Sequence, residues 1–126
     1  MEWISRLIVL AAVALFAAPA AALEGLSDAQ VVELVKNEKE LLILDVRTER
    51  EFRRGHLEGS VHIHVNTLEN RIAELEAWRD KKILALCEGG PRGEQAAMIL
   101  DAKGFTKVYY AADGLMGVGD ILGLVR

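Results

Sequence analysis

Two short apolar runs constrain the fold of this chain more than any other feature. Residues 41–46 and residues 82–86 are almost continuously apolar. A strand with apolar side chains on both of its faces needs a covering layer on each face, as strands in parallel sheets have. Segments with a helical spacing of apolar residues lie between and after these runs, so the sequence predicts an α/β fold with a parallel sheet.

The other predicted elements continue this alternation of strands and helices. Short strands are predicted at residues 61–63 and 107–110, and helices at residues 28–37, 68–78 and 93–103. Ser27 is a suitable N-cap for the first helix, and Gly104 is a suitable C-terminal residue for the last. A polar connection is predicted at residues 48–59, and a turn with one weak helix at residues 113–126.

Length and charge exclude several classes of protein. At 126 residues the chain has room for one domain. Its formal net charge of -4 argues against nucleic-acid binding, because proteins that bind nucleic acid neutralise phosphates with Lys and Arg. The single cysteine, Cys87, excludes an intramolecular disulfide and a multi-cysteine metal site. Any thiol chemistry therefore depends on Cys87.

The first 22 residues predict a secretory signal peptide. Arg6 precedes an apolar run over residues 7–18, which is followed by Pro19 and by three alanines that fit a small-residue cleavage site. We therefore expect a mature domain over residues 23–126 in the periplasm or another exported location, with no stable membrane partner. An uncleaved anchor is the alternative, because the apolar stretch nearly reaches the length of a short spanning helix.

The most informative segment for chemistry joins the strand at residues 82–86 to the next helix. Its sequence is Cys87-Glu88-Gly89-Gly90-Pro91-Arg92-Gly93. Ligands of open α/β sheets bind beyond the carboxyl ends of strands, where Asp45 is also predicted to lie. Adjacent glycines let backbone N–H groups turn inward, and the helix N-terminus and Arg92 add positive charge. We expect the amides of residues 88–93 to surround a Cys87 thiolate that solvent can reach.

Several blocks of this sequence resemble, in order, the signature of single-domain rhodaneses. The blocks are Leu-Asp-Val-Arg at residues 44–47, Glu-Phe-Arg-Arg-Gly-His-Leu-Glu-Gly-Ser at residues 51–60, Cys87 with Gly90 and Arg92, and Gly104-Phe105 with Val108. Together they extend over much of residues 23–126. In size and in its N-terminal segment the chain is most similar to the small exported type represented by phage shock protein E.

The resemblance implies a five-stranded parallel sheet flanked by helices on both faces and a cysteine that carries transferable sulfur as a persulfide. It implies a sulfurtransferase that moves sulfur from a small anionic donor such as thiosulfate, through Cys87, to cyanide or a thiol. No metal or organic cofactor is implied. Cys87 is then catalytic, and the substrate is expected to bind the rest of the loop, which comprises Glu88, Gly89, Gly90, Pro91, Arg92 and Gly93.

The length of the loop separates this interpretation from a phosphatase. Cysteine-dependent phosphatases place five residues between Cys and Arg and wrap them around a tetrahedral oxyanion. Here four residues lie between Cys87 and Arg92. A tighter ring has room for one sulfur atom but less room for a phosphate, so the spacing favours sulfur transfer.

Four residues are predicted to support the loop rather than to react. Asp45 is placed to brace an arginine or loop N–H groups, and an ion pair with Asp45 is the alternative to anion binding by Arg92. Arg47 and Glu51 are spaced for an ion pair across the turn. His56 is expected to fix the loop through hydrogen bonds.

His62 and His64 alternate along a short predicted strand and therefore point to the same side. Two histidines could suit a metal, but a third ligand is not evident nearby, so no metal site is predicted.

Three departures from the rhodanese pattern leave a second function open. Gly93 stands where many active rhodaneses have Ser or Thr, Glu88 brings a negative charge next to the nucleophile, and Asp113-Gly114 replaces the usual Gly-Gly after the last strand. The alternative is a non-catalytic or sulfur-carrier module in the cell envelope.

Overall fold

The structure of this protein is a computed structural model that describes residues 23–126. The predicted signal peptide over residues 1–22 lies outside the described residues and stays a prediction. Within residues 23–126, the longest and most apolar helices are still too short or too polar to cross a membrane.

Five parallel strands form one sheet in the order β1-β5-β4-β2-β3, with helices in the connections. The strands are β1 Leu23–Leu26, β2 Leu41–Asp45, β3 Val61–His62, β4 Lys82–Leu86 and β5 Lys107–Ala111. The helices are α1 Asp28–Asn37, α2 Glu49–Arg54, α3 Val65–Leu68, α4 Pro91–Ala102 and α5 Gly114–Leu122, with a 3-10 helix at Glu69–Trp78. The predicted α/β fold with a parallel sheet is confirmed.

Alternate residues of the central strands enter separate hydrophobic cores. Leu44 and Ile83 contribute to a core that also includes Leu68, Leu75 and Leu100 from α3, the 3-10 helix and α4. The neighbouring residues Ile43 and Leu84 instead pack with Val31 of α1 and with Leu115 and Val118 of α5. Because side chains alternate across a sheet, these cores lie on its opposite faces. The predicted covering layer on each face is therefore present.

The structure differs from the sequence-based prediction between β3 and β4. Residues 68–78 were expected to form an α-helix, but α3 ends at Leu68 and a 3-10 helix follows. The apolar residues Ile72, Leu75 and Trp78 are spaced by three, which places them on one side of a helix with three residues per turn. Leu75 is buried in the core and the other two pack against it.

Further differences concern the edges of the sheet and the connections. Strand β1 was not predicted; it pairs in parallel with β5. The polar connection after β2 contains the short helix α2, which Thr48 caps. Helix α4 begins at Pro91, two residues earlier than expected, because proline is well suited to the first helical position.

Candidate functional site

The candidate site lies at the carboxyl edge of the sheet, where β2 and β4 end side by side. Asp45, the last residue of β2, is in register with Leu86, the last residue of β4. Cys87 follows directly, and the Val46 N–H donates to the Leu86 carbonyl at 2.9 Å. The sequence therefore correctly predicted that Asp45 and Cys87 lie at the same edge.

The Cys87 side chain faces the backbone of its own loop. The Gly90 N–H donates a hydrogen bond to the Cys87 Sγ at 3.0 Å. Gly90 has φ +117, and a Cβ at this position would collide with the Ala112 carbonyl oxygen, so the position requires glycine. Helix α4 begins at the next residue, and within residues 23–126 no side chain caps its N-terminus. The amide and the positive end of the helix are thus directed at sulfur.

Two expectations about this loop need correction. The amides of residues 88–93 were expected to surround the sulfur, but among the described contacts the Gly90 amide is the one that binds Sγ. Pro91 cannot contribute, because proline has no backbone N–H. The next helical donor after this range, the Glu94 N–H, binds the Gly90 carbonyl. Solvent was expected to reach Cys87, but the residue is 1% exposed.

Helix α5 holds the loop from the other side. The Leu115 N–H donates to the Cys87 carbonyl at 2.8 Å, and the Met116 N–H donates to the Glu88 carbonyl at 3.1 Å. Gly114 makes this approach possible, since it has φ +67 and a Cβ would collide with the Glu88 carbonyl. Although Asp113-Gly114 replaces the usual Gly-Gly, the chain keeps glycine at position 114, where the loop requires it.

Arg92 is bound by Glu51 and not by Asp45. Its Nη1 and Nη2 atoms donate to the two carboxylate oxygens of Glu51 at 2.6 and 2.9 Å. Hydrogen bonds from Arg92 hold the pKa of Glu51 far below its usual value, although burial opposes this. The same bonds raise the pKa of Arg92 despite its partial burial, and the charges of Glu51, Cys87 and Glu88 add to the effect. Arg92 therefore does form an ion pair with a neighbouring carboxylate, but its partner is Glu51 and not Asp45.

Arg47 and its partner Asp45 are the two buried charged residues of the site, at 2% and 0% exposure. Its Nε and Nη2 atoms donate to the Asp45 carboxylate at 2.9 and 2.7 Å, and Nη2 also donates to the Gly55 carbonyl at 2.8 Å. Its Nη1 lies 3.2 Å from a carboxylate oxygen of Glu88. Burial alone lowers the pKa of Arg47, but the hydrogen bonds and charge of Asp45, together with Glu88, outweigh it and hold the pKa above its usual value.

The predicted ion pair between Arg47 and Glu51 is wrong. Arg47 Nη1 donates to the backbone carbonyl of Glu51 at 3.2 Å. The Glu51 carboxylate turns away and accepts from the Thr48 N–H at 3.0 Å as part of a capping box, and from Arg92.

The histidines support the chain around the site. His56 Nδ1 is 2.9 Å from the Phe52 carbonyl and its ring stacks on that of Phe52 at 3.8 Å, in agreement with a role in fixing the loop. His62 Nε2 is 2.7 Å from the Arg47 carbonyl, whereas His64 precedes α3 as its N-cap. Across the described chain, no cluster of three metal-ligating side chains is found.

A groove of about 200 Å³ opens beside the loop. One wall comes from the segments after β2 and β4 and contains the charged residues Arg47, Glu51, Arg54 and Glu88. The other comes from α5 and the residues after it, and contains Leu115, Met116 and Leu124 together with Asp120. From the sequence, Asp113-Gly114 marked a departure from the rhodanese pattern, but no side chain of residues 115–126 was predicted to line the site. A usable signal existed, since a segment that follows the last parallel strand also begins at the carboxyl edge of the sheet.

Comparison with known proteins gives a consistent picture of the family. The model of the rhodanese-like domain matches residues 27–120. The uncharacterized protein YibN of Escherichia coli is 30% identical over 92 residues, which cover 71% of this chain and 64% of that protein. The putative sulfur carrier protein YrkF of Bacillus subtilis is 36% identical over 81 residues, which cover 64% of this chain and 43% of that protein. This chain thus matches less than two thirds of the length of either relative.

Solved structures show the same architecture. A rhodanese-related protein from Thermoplasma volcanium superimposes with a TM-score of 0.69 at 26% identity, covering 81% of this chain and 97% of the other. The expected five-stranded sheet with helices on both faces is confirmed by this likeness and by the strand order. The resemblance to the exported type in particular stays a prediction.

Proposed function

This chain belongs to the rhodanese-like domain family, and from that premise we propose that it is a sulfurtransferase that carries sulfane sulfur on Cys87 as a persulfide. The observation that carries the proposal is the hydrogen bond from the Gly90 N–H to the Cys87 Sγ at the N-terminus of α4. Cys87 belongs to the buried hydrophobic core, and packing in that core does not by itself require a backbone donor at its sulfur. A thiolate or persulfide does, because its negative charge must be stabilised away from water.

The proposed reaction consists of two displacements at sulfur. The Cys87 thiolate attacks the outer sulfur of thiosulfate, the new Sγ–S bond forms as the S–S bond of the donor breaks, and sulfite leaves with the electron pair. Cyanide or a thiolate then attacks the outer sulfur of the persulfide and leaves as thiocyanate or as a new persulfide. The Cys87 thiolate is regenerated, and neither half requires a metal or an organic cofactor.

Each loop residue has a distinct part in this proposal. The Gly90 N–H and the end of α4 stabilise the negative charge on Cys87 and on its persulfide. Arg92 holds α2 against the loop through Glu51, and its charge also lies close enough to Cys87 to interact with it. Arg47 fixes the backbone on which Glu51 and Gly55 lie.

A sulfur-carrier module is the second candidate, and the burial of Cys87 favours it. At 1% exposure the sulfur is poorly placed for repeated encounters with a small donor and a small acceptor in solution. The similarity to a putative sulfur carrier of Bacillus subtilis supports the same alternative. A carrier would receive sulfur from a partner, hold it on Cys87 and release it to another partner.

The test is to incubate the purified protein with thiosulfate, measure its intact mass, and then add cyanide. For a sulfurtransferase we expect a gain of one sulfur atom, its loss on addition of cyanide, and release of thiocyanate. Cys87→Ser should gain no sulfur, because the atom that forms the S–S bond is replaced by a poor nucleophile for this reaction.

Three other outcomes decide between the alternatives. Sulfur that loads but is not released to cyanide favours the carrier. Failure to load from thiosulfate or from an organic sulfane-sulfur donor contradicts sulfur transfer and leaves a binding module. Sulfur on Cys87→Ser places the reactive group elsewhere and contradicts the assignment of Cys87.

A further inference from the structure

The charged groups around Cys87 leave the site with a net negative charge before the thiolate is counted. Two arginines and three carboxylates surround the loop, namely Arg47, Arg92, Asp45, Glu51 and Glu88. Both guanidinium groups are already paired, Arg47 with Asp45 and Arg92 with Glu51. Arg54 and Asp120 also line the groove, and their charges cancel. The unit of negative charge that remains uncompensated is that of the third carboxylate.

Glu88 is that third carboxylate, and it faces the groove. Its backbone follows Cys87 directly, its side chain is 37% exposed, and an oxygen lies 3.2 Å from Arg47 Nη1. Asp45 already provides a full countercharge to Arg47 through a bidentate contact. Glu88 also raises the pKa of Arg92, which shows that its charge is felt at the second arginine. An anion that enters the groove therefore meets the Glu88 carboxylate next to Cys87, and Asp120 balances the charge of the one further guanidinium in the lining, that of Arg54.

The opposite wall of the groove suits an organic group. Leu115 is buried at its base, whereas Met116 is 76% exposed and Leu124 is 47% exposed, and both border the open space. Gly119 lies between them in the lining and adds no side chain. A small apolar substituent placed here would cover exposed apolar surface, which is favourable in water.

Thiosulfate and an organic thiosulfonate differ in the two properties that these walls select. Both present a terminal sulfur on a tetrahedral sulfur centre, but thiosulfate carries two negative charges, whereas methanethiosulfonate carries one and has a methyl group in place of an oxygen. Bringing the dianion to a thiolate beside Glu88 costs more Coulomb energy than bringing the monoanion.

We propose that Glu88 is a specificity-determining residue that directs this site towards sulfane-sulfur donors with one negative charge and a small organic group, and away from thiosulfate. This inference rests on the proposed persulfide function. The Cys87 thiolate attacks the terminal sulfur of the thiosulfonate, the Sγ–S bond forms, and the S–S bond of the donor breaks. The organic sulfinate leaves with the electron pair, so total charge and atoms balance and no oxidant or reductant is needed.

The test measures sulfur transfer from each of the two donors, first by the wild-type protein and then by Glu88→Gln. The measured quantity is the ratio of kcat/KM for thiosulfate to kcat/KM for methanethiosulfonate, with cyanide as the acceptor. Wild type should favour methanethiosulfonate. Because a partly exposed charge is screened by solvent, we expect Glu88→Gln to raise the ratio about tenfold rather than by several orders of magnitude.

Two matched variants separate local charge from general effects. Glu69→Gln removes one negative charge from an exposed residue of the 3-10 helix that is not in the groove lining, and it should leave the ratio at the wild-type value. Glu88→Asp keeps the charge and should stay close to wild type. The effect of Glu88→Gln should also shrink as ionic strength rises, because salt screens the interaction.

The possible results distinguish this inference from the function on which it rests. If both donors load Cys87 and the ratio is the same in wild type and Glu88→Gln, sulfur transfer stands and the role of Glu88 is overturned. A wild type that prefers thiosulfate also overturns it. If neither donor transfers sulfur to Cys87, the proposed function fails and the inference fails with it.

Discussion

The two strand-to-helix junctions at the carboxyl edge of the sheet are built in opposite ways. The junction from β2 to α2 is held by side chains: Asp45 binds Arg47, and Thr48 and Glu51 form a capping box. The junction from β4 to α4 is held by backbone, with Gly90 at positive φ and carbonyls that accept from α5. Neighbouring loops of one sheet thus reach a fixed shape by different means.

The two junctions differ in what binds the backbone N–H groups at the start of each helix. The first N–H groups of a helix need partners, and Thr48 supplies one for α2. In residues 23–126, α4 has no corresponding side chain, and its N-cap residue instead directs its N–H at the Cys87 Sγ. The junction after β2 is closed by side chains, whereas the junction after β4 leaves the N-terminus of α4 to backbone and sulfur, which is the arrangement that the proposed persulfide function uses.

The largest expected effect comes from breaking the side-chain junction. Asp45→Ala leaves the Arg47 guanidinium, which is 2% exposed, without the carboxylate that binds it twice. Removing one partner of a buried ion pair costs about 3 to 5 kcal/mol of unfolding free energy, and we expect the lower end because Glu88 still lies 3.2 Å from Arg47 Nη1. Urea denaturation followed by circular dichroism measures the loss.

A surface ion pair of α2 provides the control for this variant. Glu49→Ala breaks the contact between Glu49 and Arg53, both of which are more than two thirds exposed, at 69% and 75%. We expect little measurable change, because exposed pairs contribute little. Equal losses in Asp45→Ala and Glu49→Ala would show that burial of Arg47 does not matter for the junction.

The next effect comes from breaking the backbone junction. Gly90→Ala forces a side chain into φ +117 and against the Ala112 carbonyl, which should cost about 2 kcal/mol. The rate of sulfur loading on Cys87 should fall as well, because the N–H that binds the sulfur must move. Thermal unfolding and the time course of intact mass measure the two effects.

The adjacent glycine is a precise control. A Cβ on Gly89 would contact no atom of the described chain within 4 Å, and Gly89 is not among the glycines at positive φ. Gly89→Ala should therefore stay within about 0.5 kcal/mol of wild type and load sulfur normally. If both alanine variants behave alike, the shape of the loop does not depend on Gly90 in particular.

The features of the two junctions that depend on local chemistry could be predicted from the sequence. Parallel strands end at one edge, so the positions of Asp45 and Cys87 followed from two apolar runs. The sequence also contains the signature of the α2 capping box, because Thr48 is followed three residues later by Glu51. The charged composition of residues 48–59 nevertheless suggested a connection without a helix. The resemblance to rhodaneses supplied the number of strands, although β1 was not located and its pairing with β5 was not predicted.

The partners of the charged side chains could not be predicted, because they depend on distances between segments. Glu51 and Arg92 are 41 residues apart, and local spacing favoured Arg47 as the partner of Glu51. The burial of Cys87 also depends on packing, since it requires α5 to approach the loop at Gly114, a contact between segments that local patterns do not give. Sequence patterns therefore placed the central strands and the main helices, missed β1 and α2, and left the contacts between the elements open.

The smallest expected effect concerns the ion pair that joins the two junctions. Arg92 lowers the pKa of Glu51 in the folded protein below its usual value of 4.5, and the unfolded chain lacks this interaction. Near and below that value the unfolded state therefore binds more protons, so the stabilisation is complete at neutral pH and is lost progressively as the pH falls. Glu51→Gln cannot titrate, and between about pH 6 and about pH 3 it should lose about 1 kcal/mol less stability than wild type.

Chemical denaturation at a series of pH values measures this difference in slope. Glu74→Gln is the control, since Glu74 forms an exposed pair with Arg71 within the 3-10 helix and solvent screens it. Its acid limb should stay nearly as steep as that of wild type. An acid limb of Glu51→Gln that matches wild type would mean that the contact between Glu51 and Arg92 does not tie the side-chain junction to the backbone junction. The two loops would then be stabilised independently, and the position of Arg92 would be set by α4 alone.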